Sequence, residues 1–216
     1  RGDYGISKPP ETLREINRKI KFMEIIIATQ NPHKVEEIKE IAKLFNFTGA
    51  EFLPIDNSLN FDPVENGATF EENSYIKAKE ANRLTGEYTL ADDSGLCVNA
   101  LDGAPGIHSA RYAKTPEKRI EKLLEALKNS QDRSAKFVCS MTLINPDGEI
   151  VFISRGECLG KIALTRSGVN GFGYDPVFIV DGTEKTMAEM TEDEKNAISH
   201  RSLALQKVFD YLKNCP

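Results

Sequence analysis

The stretch MEIIIATQNPHKVEEIKEIAKLF, residues 23–45, changes its periodicity once, and that change decides the fold class. Met23 to Thr29 is a short, largely apolar run of the kind expected for a strand buried on both faces. After it, Asn31 can cap a helix, Pro32 fits the first helical turn, and Val35, Ile38, Ala42 and Phe45 recur at helical spacing. A buried strand that passes through a tight turn into an amphipathic helix opens an α/β unit.

Working outward, AEFLPI (50–55) reads as a second strand and FDPVENGAT (61–69) as a loop. Thr69 and Glu72 have the spacing of a capping box, which predicts a helix to about Leu84 that ends near Gly86. EYTLAD (87–92) is the next strand. Thr115 and Pro116 start a helix whose Ile120, Leu123, Leu124 and Leu127 form a buried stripe. AKFVCSMTLI and EIVFISRGECLG flank the turn NPDG as an antiparallel hairpin, and PVFIV (176–180) is a further short strand. Thr191 and Glu194 form a second capping box, opening a last helix expected to run to about Lys213. Alternating strands and helices followed by a hairpin predict an α/β fold with a mixed β-sheet and flanking helices, an order compatible with two lobes around a cleft. The polar stretch 1–22, with Pro9 and Pro10 and a short helix from Glu11 to Lys21 as one reading, is expected to be an extension or linker, and 23–216 the folded domain.

At 216 residues and 40% hydrophobic content the chain can bury a substantial core. With 28 basic against 33 acidic residues its net charge is -5, which disfavours a non-specific nucleic-acid binder. Cys97, Cys139, Cys158 and Cys215 are scattered without a CxxC pair, so neither a zinc site nor a disulfide framework is indicated, in keeping with a reducing cytosol. No apolar run approaches the roughly 18 residues of a membrane span. A cytoplasmic protein without a membrane partner is expected.

Four segments hold more polar and charged residues than turns require. TQNPHK (29–34) lies at a helix N-terminus, where unpaired N–H groups favour an anion such as phosphate and Lys34 adds charge; an ordinary cap with a solvated lysine reads equally well. In TFEENSYIKA (69–78), Asn73 and Lys77 share a helix row, and Glu72 is either a capping residue or a metal-linked carboxylate beside a phosphate-binding Lys77. In ADDSGL (91–96), the paired Asp92 and Asp93 at a strand end suit Mg²⁺, although DDSG also reads as a polar turn. In GFGYDPVF (171–178) and EKNAISHRSLAL (194–205), Phe172 can stack on a base, Asp175 can accept from its edge, and His200 and Arg201 can donate to a carbonyl. Phe172 in the core and His200 as a structural residue are the plainer alternatives.

Taken in order, Thr29, Asn31 and Lys34; Glu72, Asn73 and Lys77; ADDSGL; GAPGIHSARYA; GFGYDP; and SHR at 199–201 resemble the inosine triphosphate pyrophosphatase family over about Met23 to Phe209. The resemblance implies an elongated α/β fold with two lobes around a deep substrate cleft, and a homodimer. It implies Mg²⁺-dependent cleavage of inosine, deoxyinosine and xanthosine triphosphates to the monophosphate and pyrophosphate. By the same resemblance Asp93 is the proton acceptor and a metal ligand, Glu72 shares the metal and Asp92 is a further candidate. Lys34 and Lys77 assist catalysis. Thr29, Gln30, Asn31, Pro32, His33, Lys34, Asn73 and Ser94 are implied to bind substrate. Phe172, Gly173, Tyr174, Asp175, Lys195, His200 and Arg201 are implied to complete the base pocket. A related septum-associated family preferring modified pyrimidines fits SHR and GFGYDP less well, and a non-catalytic nucleotide- or RNA-binding module fits the acidic charge poorly.

Overall fold

The structure is a computed structural model that describes residues 23–214; the N-terminal extension, including the stretch Glu11 to Lys21 read as a possible helix, and Cys215 lie outside the described residues. Strand β1 (Met23–Ile27) pairs in parallel with β2 (Ala50–Pro54) on one side. On the other side it pairs in parallel with β3 (Tyr88–Val98), but only through Tyr88 to Leu90. β4 (Ser134–Ile144), β5 (Ile150–Ile162) and β6 (Phe178–Val180) follow antiparallel, giving a six-stranded mixed sheet of order β2-β1-β3-β4-β5-β6.

The first helix, α1 (Pro32–Leu44), begins where Asn31 Oδ1 accepts from His33 N at 3.0 Å, and it buries Ile38 and Ile41. Phe45 falls outside it as an exposed C-cap, so Ile41 carries the stripe in its place. Helix α2 (Phe70–Thr85) is capped by Thr69 and closed by Gly86 in the left-handed region (φ 69°), a conformation that favours glycine. Helices α3 (Pro116–Ala126), α4 (Glu192–Ile198) and α5 (His200–Asn214) complete the set. Among the described residues no helix is long and apolar enough to cross a membrane.

The core follows the alternation of β3. Leu90 packs in one cluster with Ile38 and Ile41 of α1 and with Leu205 and Phe209 of α5. Its neighbour Ala91 belongs to another cluster with Ala78 and Ala81 of α2. The two sets of helices therefore cover opposite faces of the sheet. A third cluster joins Leu96, Phe137 and Phe178 to Ile120 and Leu123 of α3, forming the second lobe.

Two elements depart from the sequence reading. β3 does not end at Asp92: it runs to Val98, with Asp93 opposite Ser140 and Gly95 opposite Val138 on β4. DDSG is thus strand, because a full-length partner satisfies its backbone and outweighs the turn preference of Asp, Ser and Gly. Gly95 supplies no bend. Its missing side chain admits a neighbour, since a Cβ there would lie 2.3 Å from Gly106 O and 2.6 Å from Ser109 Oγ. The expected single C-terminal helix is broken at Ser199 (φ -66°, ψ 153°), whose Oγ accepts from Ser202 N at 3.1 Å and so caps α5.

Candidate active site

Beyond Leu90 the β1-facing edge of β3 has no strand partner, because the β1 chain has turned into α1. A cleft opens there, at the carboxyl end of the parallel strands, the usual ligand position in open α/β sheets. Its cavity of about 410 Å³ is lined by Thr29, Gln30, Asn31 and Lys34 from the turn after β1, Lys77 from α2, and Asp93 and Ser94 from β3. The opposite wall carries Phe172, Gly173, Tyr174 and Asp175, with Lys195, His200 and Arg201 from α4 and α5.

Strand alternation sends the two acids in different directions. Asp92 points to the α1 and α5 face, where Oδ2 meets Arg201 Nη2 at 2.9 Å, Lys34 Nζ at 3.0 Å and Ser94 Oγ at 3.1 Å. Burial alone would raise its pKa, but Lys34, Arg201 and Lys77 hold the carboxyl far below the ordinary range. Asp93 points to the α2 face. Its Oδ1 accepts from Lys77 Nζ at 2.9 Å and its Oδ2 from Asn73 Nδ2 at 3.3 Å, while Asn73 Oδ1 accepts from Gly67 N. Here burial prevails over Lys77 and raises the pKa. The mutual repulsion of adjacent carboxylates is relieved by Lys34 and Arg201 on one face and Lys77 on the other.

Behind the opposite wall runs a buried chain of charge. Arg201 Nη1 donates to Glu37 Oε2, Glu37 Oε1 meets Lys195 Nζ at 3.0 Å, and Lys195 reaches Asp175 Oδ2 at 2.8 Å. Asp175 Oδ2 also accepts from Phe172 N at 2.9 Å, fixing the GFGYDP loop. For Glu37, burial works upward, but Arg201, Lys195 and His200 bring its pKa down to about 2. Burial and then the Arg201 charge push the His200 pKa well below the ordinary value, and its ring stacks on Phe137 at 4.7 Å. His200 is therefore a neutral imidazole. Its Nδ1 and Arg201 Nε are buried without a protein partner.

Most of the residues read from sequence converge on this cavity, and five do not line it. Glu72 is exposed, and its Oε2 accepts from Ala68 N at 2.6 Å, so it serves the helix start. Asp92 is sealed beneath Lys34 and Arg201. Pro32 occupies the first turn of α1, and His33 stacks on Phe172 from a neighbouring cavity. Asn73 is buried behind Asp93, to which its side chain donates.

Sequence reasoning missed Glu65 and Glu37. Glu65 lines the cavity and lies 3.5 Å from Lys77 Nζ, but its loop has no periodicity to give it away. Glu37 had one available signal: it stands three residues after Lys34 and four before Ile41, on the buried row of α1. The carboxylates of Asp93 and Glu65 converge on one ammonium, a pair of oxygen donors suited to a hard divalent cation that keeps waters and phosphate oxygens as its other ligands. Among the described residues no group of three His, Cys, Asp or Glu side chains is placed to hold a metal by itself.

The sequence model described as the Ham1 family matches residues 25–211. A Clostridium perfringens protein named dITP/XTP pyrophosphatase is 48% identical over 202 residues, covering 88% of this chain and 97% of its own. A Staphylococcus epidermidis protein of the same name is 46% identical over 193 residues, covering 88% and 96%. Among solved structures, a HAM1 protein from Coxiella burnetii superposes with a TM-score of 0.80 at 41% identity, covering 90% of this chain and all of its own. The Staphylococcus aureus Ham1 protein gives 0.78 at 42% identity, covering 88% and 98%.

Proposed function

The chain belongs to the Ham1 family, and on that footing we propose that it hydrolyses inosine, deoxyinosine and xanthosine triphosphates to the monophosphate and pyrophosphate, clearing deaminated purines from the nucleotide pool. The observation that carries this reading is a single cavity with two kinds of lining. Lys34, Lys77 and the Asn31 turn suit a phosphate chain, and Phe172 with neutral His200 and Arg201 suits a purine.

A triphosphate carries about four negative charges, and cleavage adds charge to the leaving pyrophosphate, so positioning and electrostatic stabilisation dominate. Lys34 and Lys77 hold the phosphate chain. Asp93, whose pKa burial raises, accepts the proton of the attacking water. Asn73 and Lys77 orient that carboxylate. Mg²⁺ fits the oxygen donors of Asp93 and Glu65, and when bound it supplies positive charge to the phosphate oxygens. Glu65 replaces Glu72 in this assignment because it faces the cavity.

For the base, Phe172 offers its ring, and Lys195 and Asp175 complete the pocket. His200 and Arg201, which line the same cavity, suit a 6-oxo oxygen. Adenine would present its 6-amino donor to them and leave buried groups unpaired, a mismatch that discriminates by roughly 10⁴ or more in sites of this kind. We place the activity in 23–216, in the cytoplasm, with no nucleic acid or membrane involved. We also read the protein as a homodimer.

The test is a panel of inosine, xanthosine, adenosine and guanosine triphosphates with Mg²⁺, with products separated by ion exchange. The expected result is pyrophosphate and monophosphate from the inosine and xanthosine forms, abolished by excess chelator. Release of single orthophosphate, or equal turnover of adenosine triphosphate, would overturn the reading.

A further inference from the structure

We propose that His33 is a positioning residue for base recognition, backing the Phe172 ring from outside the cleft and tying the phosphate-binding turn to the base wall. The inference rests on the functional reading above. The His33 and Phe172 rings stack with centroids 5.4 Å apart and planes 16° from parallel. Phe172 lines both the main cavity and a smaller one of about 150 Å³, whereas His33 lines only the smaller. The imidazole therefore packs on the ring from the smaller cavity, while the ring also reaches the main cavity where a purine would meet it.

Phe172 needs such support. It sits between Gly171 and Gly173, both in the left-handed region (φ 70° and 66°), so neither neighbour has a side chain to wedge the ring. The backbone is held by Asp175, but that bond does not fix the ring plane. Lys195 Nζ and Arg201 Cζ lie 4.9 and 5.9 Å from the ring centroid, so a small rotation of the ring would change where a stacked base meets the donors that read its edge.

His33 also stands at a junction. Its backbone N–H donates to the Asn31 cap, and the next residue, Lys34, is anchored on Asp92 at 3.0 Å. One side chain thus links the turn that takes the phosphates to the ring that takes the base. Its effect belongs to base binding, with no contact to the reacting atoms.

The experiment compares wild type, His33→Ala and His33→Phe by calorimetric titration with inosine triphosphate in chelator and with inorganic tripolyphosphate, which has phosphates but no base. Turnover and thermal melting are measured alongside. We expect His33→Ala to weaken inosine triphosphate binding about three- to tenfold, the range an aromatic pair contributes, with tripolyphosphate affinity, kcat and melting temperature little changed. His33→Phe should restore the affinity. Unchanged inosine triphosphate affinity in His33→Ala, an equal loss for tripolyphosphate, or no rescue by His33→Phe would overturn the proposal. If wild type binds inosine triphosphate but releases no pyrophosphate with Mg²⁺, the functional reading fails instead, while the binding comparison still decides the role of His33.

Discussion

Asp92 and Asp93 are chemically identical neighbours, yet their surroundings shift them in opposite directions. The Asp92 carboxyl is enclosed with Lys34 and Arg201 and stays ionised, a counter-charge that holds two cations at the cleft floor. Replacing it by Asn leaves those cations buried with one partner fewer; such losses cost about 3–5 kcal/mol, so Asp92→Asn should lower the melting temperature markedly. A variant as stable as wild type would contradict this role. Asp93 lies at the cavity wall with a raised pKa, and a base must be ionised to work. Activity should therefore fall as pH drops through a value above the ordinary Asp range, read as the acid limb of kcat/KM against pH in the free enzyme. An acid limb below that range would remove Asp93 as the base. At this scale, chemistry-bearing residues with a local motif around them were legible: Lys34 beside a cap, Asn73 and Lys77 on one helix row, SHR. Glu65 was not, because its meeting with Lys77 depends on how a loop without periodicity closes over α2.

The elements decide where those side chains point. Had ADDSGL been a turn, both acids could have faced one metal; as strand, it must present them to opposite faces. Its turn-forming composition hid this, since the deciding contact is long-range pairing with β4. Gly95→Ala tests the strand reading. A methyl group there meets Gly106 O and Ser109 Oγ well inside contact distance, and overpacking of this kind costs about 1–3 kcal/mol. If DDSG were a free turn, the substitution would be close to neutral in denaturant unfolding. The break at Ser199 matters in the same way, because a continuous helix would carry His200 and Arg201 along the α4 axis. As the cap of α5, Ser199 starts a new axis whose first turn faces the cleft. Ser199→Ala should cost about 1 kcal/mol of stability, the usual value of a lost cap. The helical periodicity on either side is regular, and only the Ser199–Ser202 spacing signals the interruption.

For the whole molecule, the mixed sheet was legible from alternating strand and helix periods followed by a hairpin, because those periods reflect burial on one or two faces. The site between the lobes was legible only as an order of motifs. The charge chain from Asp175 through Lys195, Glu37 and Arg201 to Asp92 and Lys34 joins segments far apart in sequence, and it couples stability to acid. Glu37 has a folded-state pKa of about 2, below the value near 4.5 expected unfolded. The unfolded chain binds the proton first, so this contribution is complete above about pH 4.5 and is lost as pH falls toward 2. Denaturant unfolding at stepped pH should show that loss in wild type and a shallower one in Glu37→Gln. Parallel slopes in the two proteins would place the acid sensitivity elsewhere.

The central claim is that one strand carries a structural acid on one face and a catalytic acid on the other. It is tested most directly by kcat of Asp93→Asn with saturating inosine triphosphate and Mg²⁺, with thermal melting as the check on the fold. Removal of a general base predicts a loss of roughly 10² to 10⁴ in kcat with melting retained. Near-normal turnover in a folded Asp93→Asn would contradict it.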